Sequence, residues 1–198
     1  MTVDAAMTGR AFAIVTGSLL ACAVASQEAV GSCAPVRGAA PPSAADMHEA
    51  EVLYLPTPQP VVEAMLRLAG VSRSDVVYDL GSGDGRIPIT AARIYGARGV
   101  GIELDGRMIE RARCNAGEAG MERLVEFRQA DLFGVDLREA TVVTLFLFPE
   151  MVQRLMPKLR SELRSGTRIV SHRFGHSTWQ PERTLEAGGH SLLLWTVP

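Results

Sequence analysis

A glycine-rich loop near the middle of the chain constrains the fold more than any other feature. It lies in the run Asp79–Arg86 (DLGSGDGR), in which glycines occupy positions 81, 83 and 85. An apolar segment typical of a strand precedes it, and a segment with helical spacing follows. Glycines let the backbone turn sharply and let a ligand lie against bare main chain. The position therefore predicts a ligand site at the carboxyl end of a strand in a doubly wound sheet.

The spacing of the glycines and the acids beside them indicate the kind of ligand. Dinucleotide-binding folds use a GxGxxG spacing and place a pyrophosphate at the helix N-terminus. Here the spacing is GxGxG, and Arg86 stands where the third glycine would be. Asp79 and Asp84 flank the loop, and two carboxylates would repel a pyrophosphate. They suit a ligand with a positive end, and S-adenosylmethionine carries both an ammonium and a sulfonium group.

Strands and helices are predicted to alternate along most of the chain. Short apolar runs indicate strands, and helical periodicity with Thr57 as the first cap indicates helices. This alternation predicts an α/β fold, a mostly parallel doubly wound sheet with helices on both faces. A C-terminal antiparallel hairpin is expected around Gly188 and Gly189. The predicted strands are 75–80, 98–102, 124–128, 141–146 and 168–172, and the predicted helices begin near 57, 86, 106 and 150, the last kinked or restarted at Pro157.

Two further acids follow predicted strands and are expected near the ligand. Glu103 ends the second strand, at about the 20-residue interval after the loop at which a carboxylate meets ribose hydroxyls. Asp131 follows the third strand and could accept a hydrogen bond from an adenine amino group. A strand-end surface charge and a helix-cap aspartate are the alternative interpretations of these two residues.

The first 46 residues differ in composition from the rest. Residues 11–25 (AFAIVTGSLLACAVA) are uncharged and too short for a comfortable membrane span, so we interpret residues 1–25 as a signal peptide or a lipoprotein signal and anchor. A misassigned start codon is the alternative. Residues 26–46 are rich in Ala, Pro, Ser and Gly and predict a flexible tether. Residues 47–198 are predicted to form one domain.

The overall charge does not favour nucleic-acid binding. The 198 residues include 20 Lys and Arg against 22 Asp and Glu, a net charge of −2. A chain of this kind carries no strong positive field to hold a phosphate backbone non-specifically, and a local basic patch stays open as an alternative. The sequence shows no cysteine pattern of a zinc site, and no metal site is predicted.

The chain from about residue 54 resembles the class I S-adenosylmethionine-dependent methyltransferases, which implies a Rossmann-like fold. It is similar to small bacterial methyltransferases and to the lysine methyltransferases that modify the ATP synthase c-subunit. The shared motifs are Tyr54–Pro58, Asp79–Ile87, Asp131–Phe133 and Arg168–His172, with Trp179 beyond. The chain departs from many nucleobase and glutamine methyltransferases at Leu147–Glu150 (LFPE), where those enzymes carry Asn or Asp followed by two prolines.

The resemblance assigns expected roles to residues of this chain. Glu103 is expected to hold the ribose, and Asp131 to lie near the adenine. Tyr54 and Thr57 are expected on a segment that closes over the cofactor. The expected cofactor-binding set is Tyr54, Thr57, Asp79, Gly81, Gly83, Asp84, Gly85, Glu103 and Asp131.

Methyl transfer from a sulfonium is an in-line displacement that needs no metal, and most acceleration can come from holding the reactants in line. A lysine acceptor, with a reference pKa near 10.4, must first lose a proton. Candidate catalytic residues are Glu150 and His172, with His176 nearby in sequence. A helix first-turn acid and a strand-end histidine are the alternative interpretations.

The sequence therefore predicts an S-adenosylmethionine-dependent methyltransferase acting on an acceptor that we expect to be a protein lysine. Two alternatives stay open. One is a non-catalytic exported binding module of the same fold, and the other is a nucleotide-cofactor oxidoreductase. The N-terminal signal predicts the cell envelope, with the cytoplasm as the alternative if the start is misassigned. Membrane contact is expected only through that segment.

Overall fold

The computed structural model describes residues 55–198. The predicted signal segment, the tether and Tyr54 lie outside the described residues, so the inferences about them stay predictions. The helices are α1 (Gln59–Leu68), α2 (Arg86–Tyr95), α3 (Gly106–Glu118) and α4 (Pro149–Glu162). The strands are β1 (Val76–Leu80), β2 (Arg98–Glu103), β3 (Val125–Gln129), β4 (Val142–Leu145), β5 (Arg168–His172), β6 (Arg183–Ala187) and β7 (His190–Thr196).

The strands form one seven-stranded sheet in the order β3-β2-β1-β4-β5-β7-β6. The first five strands along the chain pair in parallel, and β7 is antiparallel to both β5 and β6. The predicted α/β fold and its antiparallel terminal hairpin are confirmed. β1 lies beside β4 although β2 and β3 intervene in the chain, so the strand order reverses between β1 and β4. Open sheets of this kind bind ligands outside the carboxyl ends of the strands at such a reversal.

Alternate residues of the central strands pack against the two helical layers. Tyr78 and Leu80 of β1 lie in a cluster with buried residues of α4, whereas Val77 lies in a cluster with α1 and α2. A third cluster joins α2 and α3 to Phe127 of β3. The central strands are buried on both faces, which explains why their sequences read as continuous apolar runs.

Two details differ from the expectations for the helices. Pro58, not Thr57, occupies the cap position of α1, and no side chain caps that helix. The Thr57 hydroxyl contacts His172 instead. The α4 helix continues through Pro157 without a restart, since Met156 and Leu159 beside the proline are buried and hold the helix against the sheet. Among residues 55–198, no helix is long and apolar enough to cross a membrane.

Candidate cofactor and active site

The glycine loop connects β1 to α2 at the edge where the strand order reverses. The amides of Gly81 and Ser82 both donate to the Ile102 carbonyl at 2.9 Å, which ties the loop to β2. All three glycines of the loop have positive φ, with 82°, 51° and 78° at positions 81, 83 and 85. A Cβ atom on Gly85 would lie 2.5 Å from Cζ of Phe127. This residue therefore needs to be glycine for its backbone conformation and for its packing.

Asp79 is buried at the end of β1, directly beneath the loop. Its Oδ1 atom accepts a 2.7 Å hydrogen bond from Oγ1 of Thr144, its partner in register on β4. The pKa of Asp79 is raised to about 7, chiefly by burial; the Thr144 hydrogen bond acts against this rise, and the negative charges of Glu103 and Asp84 contribute to it. Three carboxylates thus gather at this edge of the sheet. A cation bound here would relieve their repulsion.

Glu103, at the end of β2, faces the glycine loop. Its Oε2 atom accepts a 2.9 Å hydrogen bond from the Gly83 amide. Its Oε1 atom accepts from the amides of Leu104 and Asp105, at 2.8 and 3.1 Å. The Leu104 side chain beside it is 67% exposed and offers an apolar surface next to the carboxylate.

Asp84 lies in the loop but is paired with a neighbouring residue. Its carboxylate accepts hydrogen bonds from Nε and Nη2 of Arg86, at 2.9 and 2.6 Å. Its backbone carbonyl accepts from Nδ2 of Asn115 on α3. The positive charge of Arg86 offsets part of the negative charge of Asp84. The prediction that Asp84 favours a cationic ligand depends on that negative charge.

Asp131 lies in the turn after β3 and is exposed. Its Oδ1 atom accepts a 2.9 Å hydrogen bond from the Phe133 amide, which closes the turn. The preceding Ala130 amide donates to the Glu103 carbonyl at 3.0 Å, so this turn is adjacent to the end of β2. The predicted adenine acid and the predicted ribose acid are therefore brought together at one edge.

Thr57 and His172 lie far apart in the sequence but meet in a buried contact. Oγ1 of Thr57 is 3.2 Å from Nδ1 of His172, and Nε2 of His172 is 2.8 Å from Nδ1 of His190. His172 is fully buried, and its ring lies 4.0 Å from that of Phe146, centroid to centroid. Burial, together with the charges of His190 and Arg173, lowers the pKa of His172 to about 4. His172 is thus neutral at pH 7.

Glu150 is exposed at the start of a helix, whereas His176 is hydrogen-bonded within its own loop. Glu150 lies exposed in the first turn of α4, just after the segment Phe146–Phe148 that leaves β4. That segment adjoins the glycine loop, because a Cβ on Gly81 would lie 2.9 Å from Cδ2 of Leu147. His176 uses Nδ1 within its own loop, where it accepts from the amides of Thr178 and Trp179 at 3.3 and 3.2 Å.

Two residues of the site carry little signal in the sequence. Thr144 sits inside an apolar strand, and its polar side chain in a buried run is the one available sign. His190 has no partner in sequence, and the antiparallel pairing of β7 with β5 brings it to His172. Among the described residues, no group of three His, Cys, Asp or Glu side chains could hold a metal ion.

Fold and site together define a class I S-adenosylmethionine-dependent methyltransferase. The ANTKMT methyltransferase domain matches residues 79–183, from the glycine loop to the start of β6. The chain belongs to this family.

The similar proteins match about three quarters of this chain. A protein-lysine N-methyltransferase from Saccharolobus islandicus is 41% identical, over 74% of this chain and 94% of its own length. A lysine N-methyltransferase of the ATP synthase c-subunit from Xenopus laevis is 33% identical, over 72% of this chain and 62% of its own length. The predicted resemblance to the c-subunit methyltransferases is therefore confirmed.

A solved structure supports the cofactor directly. The crystal structure of an RNA methyltransferase from Salinibacter ruber in complex with S-adenosyl-L-homocysteine has a TM-score of 0.72 and 56% identity to this chain. It covers 73% of this chain and 94% of its own. The protein is an enzyme that uses S-adenosylmethionine as its methyl donor. The cluster of carboxylates beside the loop suits the ammonium and sulfonium groups of that cofactor.

Proposed function

We propose that this enzyme transfers the methyl group of S-adenosylmethionine to the side-chain amine of a lysine in a protein. The observation that carries the proposal is the 41% identity to a protein-lysine N-methyltransferase across 94% of that protein's length. The c-subunit methyltransferase also acts on a lysine. The family match over residues 79–183 includes the glycine loop and the segment after β4.

The segment after β4 is where we expect the acceptor to approach. Leu147 packs beside Gly81 of the loop, and the next side chain, Phe148, is 46% exposed. Glu150 follows at the surface. An exposed aromatic ring and an exposed carboxylate suit a lysine, whose long stem is apolar and whose end is positive.

The residues of this chain would act mainly by positioning the cofactor and the acceptor lysine. S-adenosylmethionine, when bound, would supply an electrophilic methyl group, and its demethylated product, S-adenosylhomocysteine, would leave as a neutral thioether that needs no protonation. The carboxylates of Asp79 and Glu103 hold its charged and polar parts against the loop. Glu150 attracts the lysine ammonium and receives its proton, because the free amine is the nucleophile. Alignment of that amine with the methyl group accounts for most of the acceleration.

RNA is the second candidate acceptor, since the Salinibacter ruber protein is described as an RNA methyltransferase. Two observations weigh against RNA. The net charge of this chain is −2, which provides no field to attract a phosphate backbone. The segment after β4 presents Glu150 at the surface, and a carboxylate there repels phosphates. The oxidoreductase and the non-catalytic module find no support in the family match.

Both acceptors can be distinguished in one experiment. The full-length enzyme is incubated with a cell lysate and methyl-labelled S-adenosylmethionine, and portions are then treated with protease or ribonuclease. We expect protease-sensitive label, located on lysine by mass spectrometry and lost with an Asp79→Ala variant. Ribonuclease-sensitive label would establish the RNA alternative and overturn the proposal.

A further inference from the structure

Residues 56–58 precede α1 and cross the carboxyl edge of the sheet near the strand reversal. Thr57 is held there from two directions. Its backbone carbonyl accepts a 2.9 Å hydrogen bond from Nη1 of Arg86, the residue that follows the glycine loop. Its hydroxyl lies 3.2 Å from His172 at the end of β5. The segment therefore joins the β1 side of the reversal to the β5 side, over the edge that binds the cofactor.

His172 makes a second contact that extends this connection to the terminal hairpin. Its Nε2 atom lies 2.8 Å from Nδ1 of His190, the first residue of β7. The two contacts use both ring nitrogens of a fully buried side chain. Phe146, the residue after β4, covers one face of the ring.

We propose that the side chains of Thr57, His172 and His190 form a latch that holds residues 56–58 closed over the cofactor. His172 and His190 are then positioning residues, which act through Thr57 and do not touch the reacting atoms. The proposal does not depend on the acceptor, because it concerns how tightly the cofactor edge is covered.

The chemistry of a neutral imidazole explains why the two hydrogen bonds of the latch act together. A neutral ring has one N–H donor and one acceptor nitrogen. The Thr57 hydroxyl can donate or accept, and so can Nδ1 of His190 in one or the other tautomer. The chain of two hydrogen bonds is therefore complete in either direction. Removing either end leaves a ring nitrogen of His172 buried without a partner, which is unfavourable.

The latch also connects to the cofactor loop. Arg86 donates to the Thr57 carbonyl with Nη1 while its Nη2 atom binds Asp84 of the loop, at 2.6 Å. Gln59, at the start of α1, donates to Thr90 of α2 at 3.0 Å. Residues 57–59 are thus fixed to the helix that begins at the loop. When the hydroxyl contact to His172 is lost, we expect the segment to open on the β5 side.

The test compares matched variants of the full-length chain. Thr57→Val keeps the shape of the side chain and removes the hydroxyl, whereas Thr57→Ser keeps the hydroxyl. His190→Ala removes the far end of the latch. Ser191→Ala is the hairpin control, because the Ser191 hydroxyl donates to Glu186 in the same hairpin and takes no part in the latch. Circular dichroism confirms that each variant is folded.

The readouts are the dissociation constant for S-adenosylhomocysteine by calorimetry and the hydrogen exchange of a peptide covering residues 55–66. Loss of a buried hydrogen bond predicts binding about 5- to 10-fold weaker for Thr57→Val and for His190→Ala. Exchange of the 55–66 peptide should rise in both. Ser191→Ala should stay within about twofold of the wild type, and Thr57→Ser, which keeps the hydroxyl, should bind more tightly than Thr57→Val. The Thr57→Val/His190→Ala double variant should bind about as weakly as the weaker single variant, because both changes break the same chain.

Three results would overturn the latch. Binding by Thr57→Val within about twofold of the wild type would show that the hydroxyl does not matter. Effects of the two changes that multiply in the double variant would show independent sites. Unchanged exchange of the 55–66 peptide in His190→Ala would show that the hairpin histidine does not reach the segment.

Discussion

Thr144 donates a buried 2.7 Å hydrogen bond to Asp79 across the junction of β1 and β4, where the strand order reverses. The bond opposes the effect of burial, which raises the pKa of Asp79 to about 7. The carboxylate is therefore only partly ionised near neutral pH. Because a cationic ligand favours the ionised form, we expect cofactor affinity to depend on the protonation of this buried acid.

The first prediction is that binding of S-adenosylmethionine tightens as the pH rises from about 6 to about 8, while Asp79 loses its proton. Asp79→Asn removes the charge, so its affinity for S-adenosylmethionine should be about 10-fold or more below the wild type at pH 8. The variant should also lack the pH dependence that comes from ionisation of Asp79. Thr144→Val removes the bond that favours the carboxylate and should shift the pH dependence to higher pH. Calorimetric titration across this range measures all three. Equal pH dependence in Asp79→Asn would contradict the assignment.

The same buried acid should reduce the stability of the unliganded protein. A carboxyl whose pKa is raised by folding contributes stability below its unfolded pKa of about 4, and that contribution is lost as pH rises through about 7. Asp79→Asn should therefore melt about 5 °C higher than the wild type at pH 8, and the difference should shrink toward pH 4. Thermal unfolding without ligand measures both. A variant less stable than the wild type at pH 8 would contradict this.

The glycine at position 85 can be tested against a second glycine with positive φ. A Cβ on Gly85 would press on the Phe127 ring, whereas a Cβ on Gly120, with φ of 66°, meets no atom within 4 Å. Gly120→Ala should cost about 1 kcal/mol in the free energy of unfolding, from backbone strain alone. Gly85→Ala should cost about 3 kcal/mol, because overpacking adds to the strain. Urea unfolding measures both, and equal costs would show that the contact with Phe127 does not matter.

An ion pair at the amino ends of the strands, opposite the cofactor site, should affect the stability of the protein without affecting cofactor binding. Arg168 pairs with buried Asp75, and Thr141 donates to the same carboxylate at 2.7 Å. Burial acts to raise the pKa of Asp75, but hydrogen bonds from Thr141 and Ser72 and the charge of Arg168 lower it below its usual value. The stability that Asp75 contributes is present above its unfolded pKa, near 4, and is lost as the pH falls through the lower folded pKa.

Asp75→Asn should therefore lower the free energy of unfolding by about 3 kcal/mol at pH 7, because it leaves the Arg168 charge without its partner. Affinity for S-adenosylmethionine should stay within about twofold of the wild type. Urea unfolding and calorimetry on the same preparation separate the two effects. Loss of affinity at a temperature where the variant is folded would show that the two edges of the sheet are coupled.

Substitutions at Glu150 and at His172 should change different quantities, kcat for Glu150 and cofactor affinity for His172. His172 is buried with a pKa of about 4 and stays neutral across the assay range, whereas Glu150 is exposed beside the expected acceptor path. Glu150→Gln should lower kcat on a lysine substrate about 10-fold or more, with cofactor affinity unchanged. His172→Asn should weaken cofactor binding instead. Single-turnover rates and calorimetry test this, and loss of kcat with unchanged cofactor binding in His172→Asn would make His172 the base.

The central strands and the glycine loop are predictable from the sequence because they depend on local patterns. The apolar runs mark buried strands, and the glycines at positions 81, 83 and 85 mark the loop. The position of Glu103 at the end of the second strand predicts that it lies near the ligand, and in the structure it binds the Gly83 amide of the loop. These inferences need only the rule that parallel strands bring their carboxyl ends to one edge.

Contacts between residues that are distant in sequence could not be predicted. Thr144 and Asp79 are 65 residues apart, and Thr57 and His172 are 115 apart. The local pattern predicts that the Thr57 hydroxyl caps α1, but the tertiary contact with His172 prevails. The pattern also places Asp84 toward the ligand and gives no sign that Arg86 pairs with it. Side-chain pairing of this kind depends on geometry that periodicity does not encode.

The most direct measurement is calorimetric titration of the full-length protein with S-adenosylmethionine, comparing the wild type with Glu103→Ala and Glu126→Ala. Glu103 contacts the glycine loop, whereas Glu126 pairs with Arg128 at the surface of the neighbouring strand. We predict micromolar binding that is about 10-fold or more weaker in Glu103→Ala and unchanged in Glu126→Ala. Equal affinity in all three proteins, or no binding by the folded wild type, would contradict the assignment of the cofactor site to this loop.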